Sequence, residues 1–135
     1  LILIQIILGV FLAGLNGGLL YNTWPDMNGN FFPSDINKTD LYNFQIFYNP
    51  SVIQFYHRIS AYLLIFILLI LNFLFYTNKI ELRPILILNL AIFFQVILGI
   101  VTLITGVKIY YASLHQLGSV FVLISFINIF YKNTN

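Results

Sequence analysis

Long apolar runs separated by short polar gaps dominate this chain. One run extends from Leu1 to about Tyr21, a second from about Val52 to Tyr76, a third from Pro84 to about Thr105, and a fourth from about Tyr110 to Tyr131. A helix needs about 20 residues to cross a bilayer, so each run predicts a transmembrane helix. Pro84 suits a first helical turn, where its missing N–H is harmless, and Gly106 suits a helix stop. The expectation is an all-α, polytopic membrane protein: one four-helix bundle spanning residues 1–135. The chain opens at Leu1 inside an apolar run, without Met, a basic start or a cleavage site. A truncated or processed boundary with sequence before it is therefore expected.

The one substantial loop, Asn22 to Ser51, is expected on the outer side. Pro25, Pro33 and Pro50, with Asp26, Asp35 and Asp40, signal turns. Its rings, Trp24, Phe31, Phe32, Tyr42, Phe44, Phe47 and Tyr48, predict a surface roof at headgroup level. Asn37-Lys38-Thr39 is a formal glycosylation sequon to which no role is given. The remaining connections are short and make successive helices antiparallel neighbours.

Composition agrees with lipid as the solvent. Hydrophobic residues make up 60% and charged residues 7%, against about 25% charged in soluble domains. Without cysteine, disulfides, zinc–thiolate sites and iron–sulfur clusters are excluded. A net charge of +2 gives no footprint for nucleic acid. Lys79 and Arg83 flank the short loop after the second helix and Lys132 lies at the C-terminus, whereas Lys38 and Lys108 lie opposite. The positive-inside rule then puts both termini inside and the long loop outside.

The helices also repeat. Gln5-Ile6-Ile7-Leu8-Gly9 in the first returns as Gln95-Val96-Ile97-Leu98-Gly99 in the third. His57-Arg58-Ile59-Ser60-Ala61 in the second returns as His115-Gln116-Leu117-Gly118-Ser119 in the fourth. These are the chain's two histidines, and ionisable side chains within a membrane are costly and usually functional. Each lies about five residues into a helix that starts on the outer side, roughly 8 Å below that surface. Two imidazoles at one depth on parallel helices suit bis-histidine ligation of a haem iron. The small residues one turn on leave room for a flat macrocycle, and Arg58 could pair with a propionate. The plainer readings are interhelical hydrogen bonds for the histidines, snorkelling for Arg58 and simple packing for Gly14-xxx-Gly18. Gln5, Gln54, Gln95 and Gln116 are expected to bond between helices. No carboxylate or thiol at helix depth completes another kind of metal site.

The stretches AGLNGGLLYNTWPDM (Ala13–Met27), NPSVIQFYHRISAY (Asn49–Tyr62), QVILGIVTLIT (Gln95–Thr105) and SLHQLGS (Ser113–Ser119) together resemble haem A synthase along the whole chain. That resemblance implies one half of an eight-helix, pseudo-symmetric protein that oxidises the C8 methyl of haem O to a formyl group. It implies the second half, which holds a permanent haem b with His57 and His115 as axial ligands. In the first half a glutamate implicated in catalysis stands three residues before the histidine. Here that position is Gln54, so no catalytic residue is assigned to this chain. Haem O would be met through the N-terminal half of the synthase, the expected partner alongside membrane lipid; a homo-oligomer is compatible with the sequence. The resemblance implies a multi-pass protein of a bacterial or mitochondrial inner membrane. The absence of the loop cysteines of some members points to a cysteine-free branch. The rival readings are a stand-alone bis-histidine membrane cytochrome and a cofactor-free membrane assembly subunit.

The charge pattern makes a topological prediction. A cysteine introduced at Asn78 is labelled by impermeant reagents only from the inner side, and one at Asn37 only from the outer side. The reverse labelling would overturn the orientation.

Overall fold

In a computed structural model the chain is all-helical and describes residues 1–37, 39 and 47–134, with side chains through Tyr131. The elements are α1 (Ile2–Gly14), a 3₁₀ turn at Gly17–Leu19, α2 (Pro50–Thr77), α3 (Leu82–Ile104) and α4 (Ile109–Thr134). Three helices are long and apolar enough to cross a membrane, and α1 is a shorter apolar helix. Lys38, Asp40, Tyr42 and Phe44 lie outside the described residues, as does the middle of the sequon, and so does the side chain of Lys132.

The expected first helix, Leu1 to about Tyr21, differs from the one observed. At 13 residues α1 rises about 20 Å, less than a hydrocarbon core of about 30 Å. The cause is local. Asn16 adopts φ +53 in the left-handed region, which asparagine enters more readily than most residues, and the backbone then tightens into the 3₁₀ turn. A Cβ on Gly17 would lie 2.7 Å from Leu12 and 3.0 Å from the Pro50 carbonyl oxygen. Glycine therefore lets this turn tuck under the start of α2. Packing was the expected role of Gly14-xxx-Gly18; Gly18 fills it, against Val107, while Gly14 has nothing among the described residues within 4 Å of a Cβ position.

The other helix ends follow their signals. Asn49 caps α2 by accepting from the Ser51 and Val52 amides at 3.0 and 3.3 Å, with Pro50 at the first position. Pro84 sits in the first turn of α3. Gly106, at φ +71, follows the end of α3 and lets the chain turn back within a few residues.

The helices associate chiefly as two hairpins, α1 with α2 and α3 with α4. A buried apolar cluster of Phe75, Ile85, Leu88, Ala91, Ile92, Val122 and Ile129 joins α2, α3 and α4. Between α2 and α3 the Asn72 and Asn89 amides exchange hydrogen bonds of 2.9 and 2.7 Å. In lipid an unpaired amide is expensive, so this exchange fixes the register of the two helices.

At the loop end, Tyr21, Met27 and Ile36 are buried with Pro33. Phe32 meets Phe55 of α2 with ring centroids 5.2 Å apart, and Phe47 meets Phe11 of α1 at 6.1 Å. Trp24, Phe31, Phe47 and Tyr48 keep large exposed areas, in keeping with the expected roof.

Replacing Asn72 or Asn89 singly by Leu should cost about 1 kcal/mol, because each variant strands the other amide. The double variant should cost less than the two singles together in a denaturation cycle. Strict additivity would show that the pair does not set the register.

Candidate functional site

His57 stands seven residues after Pro50 and His115 six after Ile109. Both therefore lie about 10 Å along helices that start at the loop end, the matched depth that the sequence implied.

Each histidine is held by the helix preceding its own. Gln5 Nε2 of α1 donates to the His57 carbonyl oxygen of α2 at 3.1 Å. Gln95 Nε2 of α3 donates to the His115 carbonyl oxygen of α4 at 2.7 Å. One turn on from each glutamine stands a glycine, and the imidazole packs on it. A Cβ on Gly9 would lie 3.4 Å from His57 Cε1, and one on Gly99 would lie 2.9 Å from His115 Cε1. The small residue three after each histidine receives the glutamine oxygen: Ser60 Oγ donates to Gln5 Oε1, and a Cβ on Gly118 would collide with Gln95 Oε1. The repeated QxxLG and H-x-x-small motifs are thus the two sides of one clasp, made twice. Interhelical bonding was the expectation for these glutamines, and Gln5 and Gln95 meet it. The glycines as beds for the rings were not foreseen; their fixed distance after each glutamine was the available signal.

The ring nitrogens are not held in well-aligned bonds by the described residues. Gln5 Nε2 lies 3.3 Å from both Nδ1 and Nε2 of His57. An in-plane hydrogen bond to one imidazole nitrogen leaves the other much further away, so the amide sits across the ring and commits neither nitrogen. His115 Nδ1 is buried without a hydrogen-bond partner among the described residues. Among those residues there is no group of three or more His, Cys, Asp or Glu side chains that could hold a bare metal ion. Two imidazoles can complete the coordination of an iron that a macrocycle already holds.

Arg58 turns toward the loop. Its Nη1 donates to the carbonyl oxygens of Thr23 and Asp26 at 3.0 and 2.6 Å, and its Nη2 to that of Tyr21 at 2.9 Å. Fully buried Gln54 donates to the same Tyr21 oxygen at 2.9 Å. The two side chains brace the Tyr21–Asp26 segment over the N-terminal end of α2. Nε of Arg58 and Oε1 of Gln54 are buried without hydrogen-bond partners among the described residues.

Further out, Asp35 accepts from Tyr21 Oη at 2.5 Å and from Ser51 Oγ at 2.6 Å. Partial burial raises its pKa, but these hydroxyl bonds outweigh it and hold the carboxyl below its ordinary value. Asp26 is likewise lowered, first by the Thr23 hydroxyl.

A family model described as cytochrome oxidase assembly protein (COX15-CtaA) matches residues 1–127. The chain belongs to this family. Among its curated relatives, the haem A synthase of Pelagibacter ubique is 57% identical over the whole chain, which covers 40% of that protein. The haem A synthase of Wolbachia pipientis is 40% identical over 88% of the chain and 33% of the relative. That of Rickettsia bellii is 39% identical over 91% of the chain and 37% of the relative. The chain thus spans two-fifths or less of the length of these relatives. No solved structure matches it.

The two ring beds differ in tightness, and the difference is measurable. Gly99→Ala should lower stability by about 1–3 kcal/mol through overpacking against His115, whereas Gly9→Ala should cost less than about 1 kcal/mol. Equal thermal shifts for the two variants would show that the beds are equivalent.

Proposed function

We propose that this chain is the haem-b-binding half of haem A synthase, the enzyme that oxidises the C8 methyl of haem O to a formyl group. Its place would be a bacterial or mitochondrial inner membrane. The observation carrying this reading is the doubled clasp, which presents two uncommitted imidazoles at one depth on neighbouring hairpins. Membership of the family, with relatives named haem A synthase, supports the enzymatic context.

His57 and His115 would hold the haem iron. Their neutral imidazoles offer lone pairs to an iron without burying a net charge in the membrane. The fit is favourable on two counts: the His57 ring nitrogens are free of in-plane bonds, and His115 Nδ1 has no hydrogen-bond partner among the described residues. A haem held in this way supplies one-electron transfer. Arg58 steadies the overlying loop, and its unpartnered Nε–H is the edge it would offer to a propionate.

This chain supplies no evident proton-transfer group for the methyl oxidation. General acid–base chemistry needs a titrating group within hydrogen-bond reach, and the position three before His57 is Gln54. Asp26, Asp35 and Glu81 fall outside α1–α4, and Asp40 lies outside the described residues. The haem O site and its catalytic carboxylate are assigned to the N-terminal half.

The chain alone should therefore show a low-spin bis-histidine spectrum, lost or converted in His57→Ala and His115→Ala, and should form no haem A. Supplying haem O with the N-terminal half should give haem A by chromatography. An unchanged spectrum in both histidine variants would remove the ligand assignment. Haem A made by this chain alone would overturn the division of labour.

A further inference from the structure

The two histidines stand on different hairpins, His57 on α2 and His115 on α4. The gap between them therefore depends on how the hairpins are tied together. Two side-chain ties cross from one hairpin to the other. The Asn72–Asn89 exchange lies about 22 Å further along α2 than His57. The second tie is at the loop end. Asn22 Nδ2 donates to the Gly18 carbonyl oxygen of the preceding 3₁₀ turn at 2.8 Å and to the Leu103 carbonyl oxygen of α3 at 2.9 Å. Both protons of the amide are thereby used, one on each hairpin. Leu103 lies about 12 Å along α3 from Gln95, toward the loop end.

The way α3 ends presents that carbonyl. Gly106 N–H bonds the Leu103 oxygen at 3.1 Å and Val107 N–H bonds the Thr102 oxygen at 2.9 Å, the paired bonds of a Schellman motif. Val107 is held at φ +55, a strained value for a β-branched residue. Its Cγ2 lies over Gly18, 2.9 Å from where a Cβ would stand. The end of α3 and the 3₁₀ turn are thus fitted to each other by shape as well as by the Asn22 bridge.

We propose that Asn22 is a positioning residue that fixes the separation of the two hairpins at the loop end, and with it the gap between His57 and His115. This inference rests on the haem reading for its consequence, but the bridge itself does not. Without the bridge the hairpins stay joined by Asn72–Asn89 and by the apolar cluster around Phe75, from mid-bundle to the far end. Held there alone, they would splay most at the loop end, where both imidazoles lie. Metal–ligand bonds accept displacements of only about 0.2 Å, so an iron between the two imidazoles would register a small splay that helix packing absorbs.

Two measurements test this. The chain has no cysteine, so spin labels on Tyr48→Cys and Ile109→Cys, both exposed at the loop end, report the separation of the hairpins by pulsed electron resonance. In the haem-free chain, Asn22→Leu and the smaller Asn22→Ala should each broaden that distance distribution and move it to longer values. Asn72→Leu, at the far end, should leave it in place. Once haem is loaded, the Asn22 variants should lose it about five- to tenfold faster, the worth of one hydrogen bond. They should also form a carbon monoxide adduct that the unaltered chain does not form. Asn72→Leu should stay low-spin and inert to carbon monoxide, which separates positioning from a general loss of stability. Unmoved distances in both Asn22 variants, an equal change in Asn72→Leu, or loaded Asn22 variants that stay fully low-spin and inert would each overturn the proposal. An unaltered chain that takes up no haem would instead defeat the functional reading, with the haem-free distances still deciding the role of Asn22.

Discussion

A glutamine amide reaching across to the main-chain carbonyl of the next helix's histidine is the interaction on which this fold turns. In lipid no water completes the hydrogen bonding of a side-chain amide, so Gln5 and Gln95 must find partners on neighbouring helices. Each finds the histidine carbonyl, and that choice sets the register of its hairpin. Once register is fixed, the glycine one turn on falls under the imidazole and the small residue three beyond the histidine falls beside the amide. Packing brings the helices together, and the amides decide how they align.

The loop adds a second constraint at the N-terminal end of α2. Arg58 and Gln54 converge on the Tyr21 carbonyl, and Asp35 joins Tyr21 to Ser51 at the start of α2. The side chain next to His57 thus belongs at once to a membrane helix and to the lid above it.

Much of this was legible in the apolar runs. The bounds of α2, α3 and α4 fall within a few residues of those expected, because Pro50, Pro84 and Gly106 act locally and lipid enforces long uninterrupted helices. The matched depth of His57 and His115 followed from the same counting. The end of α1 did not, since hydrophobicity continues through Leu19 and Leu20 while the left-handed Asn16 and the close approach of Gly17 to Pro50 end the helix. Sequence spacing marked Gln5, Gly9, Gln95 and Gly99 as a repeat but could not say what they touch; that needs the register of the facing helix. Arg58 was anticipated beside a propionate, and its bonds to three loop carbonyls depend on a turn that no periodicity encodes.

On the proposed reading, two clasps within one chain together make one cofactor site. The most direct test is titration of the purified chain with haem, followed by the rise of the bis-imidazole absorbance. The expected result is a sharp plateau at one haem per chain, reached equally in dilute, monomeric samples. A plateau at one haem per two chains, at two per chain, or no bis-imidazole absorbance at all would contradict it.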